Sequence, residues 1–388
     1  MLLTRHASSI NLIDRGLLFR IASDSDIPAI DKIARQYPDE LAFVRKVSIK
    51  RGIDNLSCHV ACFGDVVVGF VLFHRRRDGW QTIYDLGIDR QYTGLGIGRN
   101  LLYSVPCPIR LKCKSDNARA IRFYENAGMR VESSDDKLTT FVMHHLFIFC
   151  AGNNALHPSI AKNAGMAYGC AQNDKPKDYP FMMDVEFLPE KQDWQDYMHK
   201  ICTYRPVQAM VTDYMHKSER SRLYEQIRDL KNEGVLRIKV CPKFDGAIKH
   251  IPQFCMIALS VPTNSEKFSG WLPSWQEMSM LRGRQIHLLG GTPSKQAALI
   301  DRVKLYGGRV ISVDGNSFQK AATKSTVWMG GRWRRSSDNT WLCGDYETTL
   351  KKSAENIQQY INAPETWLIG STANVNKKRI KDRQLTLL

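Results

Sequence analysis

Two sets of residues in this 388-residue chain have the types and spacing for chemistry. In the first, glycine alternates with apolar residues through Thr93-Gly94-Leu95-Gly96-Ile97-Gly98-Arg99. The turn follows a strand-like run that ends at Ile88 and precedes the helical run Leu101-Leu102-Tyr103. Glycine adopts positive φ and lets the backbone come close to a ligand. The next helix aims its free N–H groups and positive dipole end at the same place. A diphosphate suits such a turn, with Ile88, Gln91 and residues 93–99 around it; a plain tight turn is the other reading. In the second set, Asp184, Asp213 and Asp314 each close a short apolar run, as do Pro242-Lys243, Ser260 and Gly290-Gly291, and Gly315-Asn316 follow Asp314. Carboxylates gathered at one mouth can act as nucleophile, acid and base. Taken singly, each acid can equally cap the helix after it.

Downstream of the glycine turn, Ile109-Arg110-Leu111-Lys112-Cys113 reads as a strand. Residues 116–129 read as a helix opened by Asp116-Asn117 and stopped at Gly128. The two blocks together resemble the GNAT N-acetyltransferase family over about residues 18–143. The resemblance implies acetyl-CoA as cofactor, its pyrophosphate on Gly94, Gly96 and Gly98, with Asn117 and Tyr124 beside the thioester. Thr93 stands where the family has a basic residue or glutamine, which leaves Gln91 and Arg99 to compensate. Tyr124 would protonate the departing thiolate, and Asp85 or Tyr84 on the preceding strand would help take the amine proton.

These residues need a scaffold. Strands at 18–21, 58–62, 66–73 and 83–88 and a helix after Asp26 give the order β-α-β-β-β-α-β-α-β through residue 145. His144-His145 marks a junction, since adjacent strand residues face opposite ways and cannot share a ligand. Beyond it, apolar runs at 146–150, 167–170, 181–184, 208–213, 235–240, 255–261, 285–289 and 309–313 are separated in many places by helical runs, among them 218–232 and 293–305. About eight such units imply a (β/α)8, TIM-barrel-like domain with its polar strand ends at one mouth. The expected fold class is therefore α/β: an acetyltransferase domain (1–145), a barrel (146–365) and a basic tail (366–388).

The stretch His287-Leu288-Leu289-Gly290-Gly291-Thr292-Pro293, followed by Val310-Ile311-Ser312-Val313-Asp314-Gly315-Asn316, is similar to the late-barrel region of the tRNA-guanine transglycosylase superfamily. That superfamily includes phage members that insert 7-deazaguanine bases into DNA. The resemblance implies base exchange: Asp314 as nucleophile at C1′, Asp184 as general base and Asp213 on the base edge, with Ser260, Gly290, Gly291 and Asn316 as substrate contacts. Two features depart from it. Asp184-Val185-Glu186 replaces the usual DSG-type sequence, and the CxCxxC zinc cluster is missing, so no metal is expected.

A net charge of +16 argues for a polyanionic partner. Nucleic acid is expected, DNA ahead of RNA. Trp328, Trp333 and Trp341 interleave with Arg332, Arg334 and Arg335, which suits base stacking with phosphate contacts, or equally a Trp-anchored hairpin with a charged edge. The last five residues, Gln384 to Leu388, resemble the QL-x-L-[FL] peptide that docks on a replication sliding clamp. No apolar run reaches membrane-spanning length, and the ten scattered cysteines suit reduced cytoplasmic thiols. The expectation is a phage-encoded nucleic-acid modification enzyme working in the host cytoplasm, or else an acetyltransferase with an inactive barrel that binds nucleic acid or a protein.

Overall fold

The fold is that of a computed structural model, which describes residues 16–41, 44–152, 154–186, 191–262, 271–335 and 344–363. Trp341 and the clamp-like peptide at Gln384–Leu388 lie outside the described residues.

The first unit is a seven-stranded sheet. Its strands are β1 (Leu17–Ile21), β2 (Cys58–Phe63), β3 (Val66–Arg75), β4 (Gln81–Ile88), β5 (Ile109–Lys114), β6 (Arg130–Ser134) and β7 (Leu138–Met143), in the order β1-β2-β3-β4-β5-β7-β6. Its helices are α1 (Ile27–Ala34), α2 (Lys46–Asp54), α3 (Ile97–Ser104) and α4 (Ala118–Asn126). Only β4 and β5 run parallel, and they pair only from Gln81↔Ile109 to Ile83↔Leu111. Beyond that point β4 runs on to Ile88 and β5 to Lys114 with no further pairing between them, so a wedge opens between the strands. A bulge at Tyr84 twists β4 where the wedge begins.

The order expected from sequence lacks α2 and β6. α2 buries only Ile49 and Gly52, too thin a stripe to show periodicity. A Cβ at Gly52 would press on the tip of the Leu72 side chain, so a larger residue there makes Leu72 shift. Every residue of β6 is exposed, so it has no apolar alternation.

The second unit is a closed barrel of eight parallel strands: β8 (Leu146–Cys150), β9 (Ala167–Ala171), β10 (Met182–Asp184), β11 (Gln208–Met210), β12 (Arg237–Val240), β13 (Met256–Ser260), β14 (Gln285–Leu289) and β15 (Arg309–Gly315). Around it lie α5 (Leu156–Asn163), α6 (Trp194–Tyr204), α7 (Arg220–Asn232), α8 (Trp275–Ser279), α9 (Pro293–Leu305) and α10 (Ser317–Ala322). As the sequence suggested, helices separate many of the strands but not all. Residues 172–181, which include Pro176 and Pro180, join β9 to β10 without a helix, and one 3₁₀ turn, Ile248–His250, stands between β12 and β13. After the barrel come the hairpin β16 (Thr326–Met329) and β17 (Arg332–Arg335), then α11 (Tyr346–Asn362).

The first unit covers the floor of the barrel. One apolar cluster runs from Ile97, Leu101, Leu102 and Tyr103 of α3 into Leu146, Ala167, Met182 and Met256, the first residues of four barrel strands. Tyr103 meets Phe181 edge-on at 5.9 Å. Only His144 and His145 separate β7 from β8, and both backbone N–H groups donate to Asn362 Oδ1, at 2.9 and 3.0 Å.

The hairpin corrects part of the nucleic-acid expectation. Trp328 is 2% exposed, packed on Trp333 at 5.0 Å and Tyr360 at 5.4 Å, and its backbone N–H donates to Ser353 Oγ at 3.0 Å. It cannot stack on a base, because its ring faces are spent anchoring the hairpin beneath α11. The exposed Arg332, Arg334 and Arg335 form the charged edge. Trp328→Ala should therefore lower unfolding free energy by about 3–5 kcal/mol in a urea titration. A variant of native stability with weakened DNA binding would restore the stacking role.

Candidate functional site

The wedge between β4 and β5 ends at the glycine turn, and short hydrogen bonds set the shape of that turn. Tyr37 OH donates to Ile88 O at 2.7 Å, fixing the end of β4. Gln36 bridges the two sides of the bend: its Nε2 donates to Asp89 Oδ2 at 3.0 Å, and its Oε1 accepts the Arg90 N–H at 2.9 Å. Asp89 Oδ1 accepts the Gln91 N–H at 3.0 Å, and Thr93 Oγ1 donates to Arg90 O at 3.0 Å. Gly94 (φ +84°) and Gly96 (φ +79°) then take left-handed conformations, Gly96 as the residue that opens α3. A Cβ at either would meet nothing within 4 Å, so backbone conformation, not space, selects glycine. Ile97 is 1% exposed, its side chain anchoring the first turn in the core while Leu95 stays half-buried.

Two titratable groups flank the wedge. Burial pushes the Asp85 carboxyl on β4 up to about 6. Burial, with Cys113 and Asp85 nearby, raises Tyr124 on α4 above the ordinary phenol range, so it keeps its proton at neutral pH. Tyr124 is held by Phe123 at 5.1 Å and Phe141 at 5.4 Å. Tyr84, the bulge residue, is 60% exposed.

Three of the expected cofactor residues have structural roles of their own. Arg99 does not stand in for a cradle cation: its guanidinium donates to Lys162 O (2.8 Å) and Asn126 O (3.0 Å), at the junction of the two units. Asn117 commits Oδ1 to capping α4 through the Ala120 N–H at 3.0 Å. Gly98 lies inside α3 with ordinary φ, and a Cβ there would make only 3.5 Å contacts to Ile88 and Phe123.

At the opposite end of the barrel, the C-terminal strand ends gather the expected carboxylates. Asp314 Oδ1 accepts the Gly290 N–H at 2.6 Å, and its Oδ2 lies 3.6 Å from His287 Nε2. His287 Nδ1 in turn lies 2.8 Å from Ser312 Oγ. Burial opposes ionisation of Asp314, but His287, the Gly290 amide and Lys239 outweigh it and hold the carboxyl below the usual range. Burial brings His287 down to about 4, so at neutral pH the pair is an imidazole beside a carboxylate. Asp184 is pushed up to about 8, first by burial and then by the charges of Asp314 and Asp213. Asp213 is already engaged, with Oδ2 3.1 Å from Lys243 Nζ, which also donates to Ser260 Oγ at 2.9 Å. Gln296 Nε2 donates to Gly290 O (2.8 Å) and Asp314 O (2.6 Å). Gly291 packs on Val261, and Asn316 opens α10.

The mouth therefore joins Asp184, Asp213, Ser260, Gly290 and Asp314. Both oxygens of Asp314, the expected nucleophile, face donors, the Gly290 amide and His287. Sequence reasoning missed His287 and Lys239. Each is a polar residue inside an otherwise apolar strand, Ile286-His287-Leu288 and Ile238-Lys239-Val240, and that interruption was the available signal. Lys239 is fully buried, and among the described residues its hydrogen-bond neighbour is Met182 Sδ, at 2.6 Å. Burial brings it down to about 7.

A raised carboxyl has a consequence for stability. From about pH 4 to about 8 the folded chain keeps a proton on Asp184 that the unfolded chain has released, so stability falls as pH rises through that window. Asp184→Asn should flatten this slope, a change of about 1–3 kcal/mol in unfolding free energy between pH 4.5 and 7 in urea titrations. Lys239 works with opposite sign from about pH 7 to 10.5 and leaves the lower window alone. An unchanged slope in the variant would mean that Asp184 is ionised throughout.

Comparison with known proteins divides the chain in the same way. Residues 161–362 match the model of a family of unknown function, DUF6610, and residues 27–129 match the model of the acetyltransferase (GNAT) family. No curated protein matches the chain. Among solved structures, Ard1 from Thermoplasma volcanium is 22% identical, covering 33% of this chain and 95% of its own, with a TM-score of 0.28. PaiA N-acetyltransferase from Thermoplasma acidophilum, in complex with coenzyme A, is 18% identical over 32% of this chain and 97% of its own, with a TM-score of 0.26. Arabidopsis thaliana Naa50, in complex with the bisubstrate analogue CoA-Ac-MVNAL, is 20% identical over 33% of this chain and 97% of its own, with a TM-score of 0.28.

Proposed function

The chain belongs to the family of unknown function DUF6610, and on that premise we propose that it is an acetyl-CoA-dependent N-acyltransferase whose barrel presents a nucleic-acid substrate. The observation that carries the reading is the early end of the β4–β5 pairing, with a left-handed glycine turn at the mouth of the wedge and Asp85 and Tyr124 beside it. The match of residues 27–129 to the acetyltransferase (GNAT) family supports acetyl-CoA as cofactor.

The cofactor supplies an acyl carbon activated as a thioester. The amides at the start of α3 and the turn before it hold its diphosphate, helped by the helix dipole. Unpaired backbone N–H groups of β4 beyond Ile83 face the wedge and can polarise a carbonyl there. Asp85 takes the proton of the attacking amine, directly or through water. Tyr124, which keeps its proton at neutral pH, gives it to the leaving sulfur.

The acceptor is proposed to be an amine carried on nucleic acid, DNA before RNA, which the charge of +16 supports. A finer reading adds a second centre at the barrel mouth, acting on a base or its glycosidic bond in phage DNA. The convergence of Asp184, Asp213 and Asp314 supports it. Asp314→Asn would remove that chemistry and leave acetylation intact.

Acetyl transfer is tested with purified full-length protein and an amine panel that includes amine-bearing oligonucleotides. Tyr124→Phe should lower kcat by about 100-fold with little change in KM. In Asp85→Asn the rise of kcat/KM through pH 6 should disappear. Gly96→Val should weaken acetyl-CoA binding at least tenfold in calorimetry while far-UV circular dichroism stays native. Wild-type protein that shows no acetyl-CoA binding would overturn the proposal.

A further inference from the structure

Arg309 opens β15 on the barrel floor, at the seam between the two units, and the fold leaves its guanidinium idle. Other arginines at or near the seam and the floor are spent on carbonyls: Arg237 donates to Ser104 O, Arg284 to Ile251 O and Pro252 O, and Arg99 to Lys162 O. Arg309 is half-buried and its Nε is shut off from solvent, yet among the described residues its side chain has no hydrogen-bond or ion-pair partner. The β3–β4 turn brings a second guanidinium to it. The Arg76 N–H donates to Trp80 O at 2.8 Å and the Gly79 N–H to Arg76 O at 3.1 Å, which closes the turn. Gly79 then packs on Arg309: a Cβ there would lie 3.9 Å from Arg309 Cδ. Arg75, just before the turn, shares a strand face with Val71 and Phe73, the face whose apolar cluster continues into the barrel floor. Burial, and then the charge of Arg75, lower the pKa of Arg309. Two guanidinium groups side by side repel, and half-buried donors with no acceptor lose hydration that nothing returns. An anion between them removes both costs, and the arginine fork fits phosphate.

We propose that Arg75 and Arg309 clamp a backbone phosphate of nucleic acid at the seam between the two units, with Arg76, Arg77, Lys304 and Arg282 holding the phosphates on either side. The inference rests on the nucleic-acid reading of the acceptor and says where the strand lies. Arg76 and Arg77 are exposed and carry the positive strip along the turn. Lys304 is exposed on α9, near enough to lower His145, whose Nδ1 lies 2.8 Å from Val310 O. Arg282 lies against Gly307, where a Cβ would meet its Cγ at 3.4 Å. No ion pair reaches any of these six side chains among the described residues. The acid of the turn, Asp78, spends Oδ1 on the Trp80 N–H at 3.0 Å. Cations from separate segments of both units suit a chain of phosphates, where one free phosphate would need the central pair alone. Gln81, opposite Arg75, precedes the bulge residue Tyr84 by three positions, about 10 Å of strand, so a backbone held here passes close to the start of the wedge.

The test titrates full-length protein into a fluorescein-labelled DNA oligonucleotide at several salt concentrations and reads anisotropy. No acetyl-CoA is added, so the outcome is independent of acetyl transfer. Arg75→Ala and Arg309→Met should each make the slope of log affinity against log salt shallower by about 1, and the two together by about 2, with affinity down about tenfold near physiological salt. Arg75 is exposed, so Arg75→Ala should keep the urea midpoint of the wild type and reads the site even where Arg309→Met disturbs the seam. Arg228→Ala, which removes the same charge from the exposed face of α7, should leave the slope as it is. Wild-type protein that binds DNA with a slope unchanged in both seam variants would overturn the clamp and leave the nucleic-acid reading standing. Wild-type protein that binds no DNA would end both. Displacement of the DNA by inorganic phosphate at constant ionic strength would overturn the polymer in favour of a single free anion.

Discussion

Arg237 holds the two units in register. It starts β12 at the barrel floor, is buried, and donates to Ser104 O, the last residue of α3. Burial brings its guanidinium down to about 10, still positive at neutral pH. No carboxylate lies within ion-pair distance of it among the described residues. Its charge is met by the carbonyl end of α3, where a helix dipole favours a cation. Arg99 ties the other end of the same helix to Lys162 O on α5, and Tyr103 wedges against Phe181 between them. The helix whose first turn forms the glycine cradle is thus gripped at both ends by the barrel unit. A cradle amide has to be fixed in space before a diphosphate arrives, and here the neighbouring unit does much of that fixing.

The same geometry explains why so many polar groups tolerate burial. His59 sits beside Ser104 at 2.9 Å and is driven down to about 3 by burial and by Arg237, so it adds no second positive charge beside Arg237. At the mouth, Asp314 keeps its charge through an amide and an imidazole, and Asp184 gives its charge up. Apolar side chains in these places would cost less. Groups that a fold retains at such expense are the ones to examine for chemistry.

The sequence made some of this legible and hid the rest, for physical reasons. β14 was read to the residue because Gln285–Leu289 is a buried strand with sharp polar ends, and α9 because Pro293 opens it and Gly307 follows it. The cradle was visible because positive φ demands glycine at Gly94 and Gly96 whatever the tertiary context. The partners of Arg99 were hidden because a side chain with several donors goes to whatever carbonyl the fold supplies, and Lys162 is 63 residues away from Arg99. Trp328 was ambiguous because a tryptophan between arginines looks alike whether it stacks on a base or on Tyr360. α2 stayed hidden because one isoleucine and one glycine do not make a stripe.

The two candidate sites lie at opposite ends of the barrel unit, and this limits how they can cooperate. The cradle helix seals the floor, where Leu146, Met182 and Met256 join its apolar cluster, while Asp184, Asp213 and Asp314 stand at the other rim. A densely packed barrel interior is no conduit for a small molecule. An intermediate made at the mouth would have to leave and travel around the outside to reach the wedge between β4 and β5. A long polyanion solves that problem, since one stretch of it can occupy the mouth while another lies at the wedge. A net charge of +16 suits the proposed polyanion. Under the proposed function, sites this far apart call for a polymeric substrate and not a freely diffusing one.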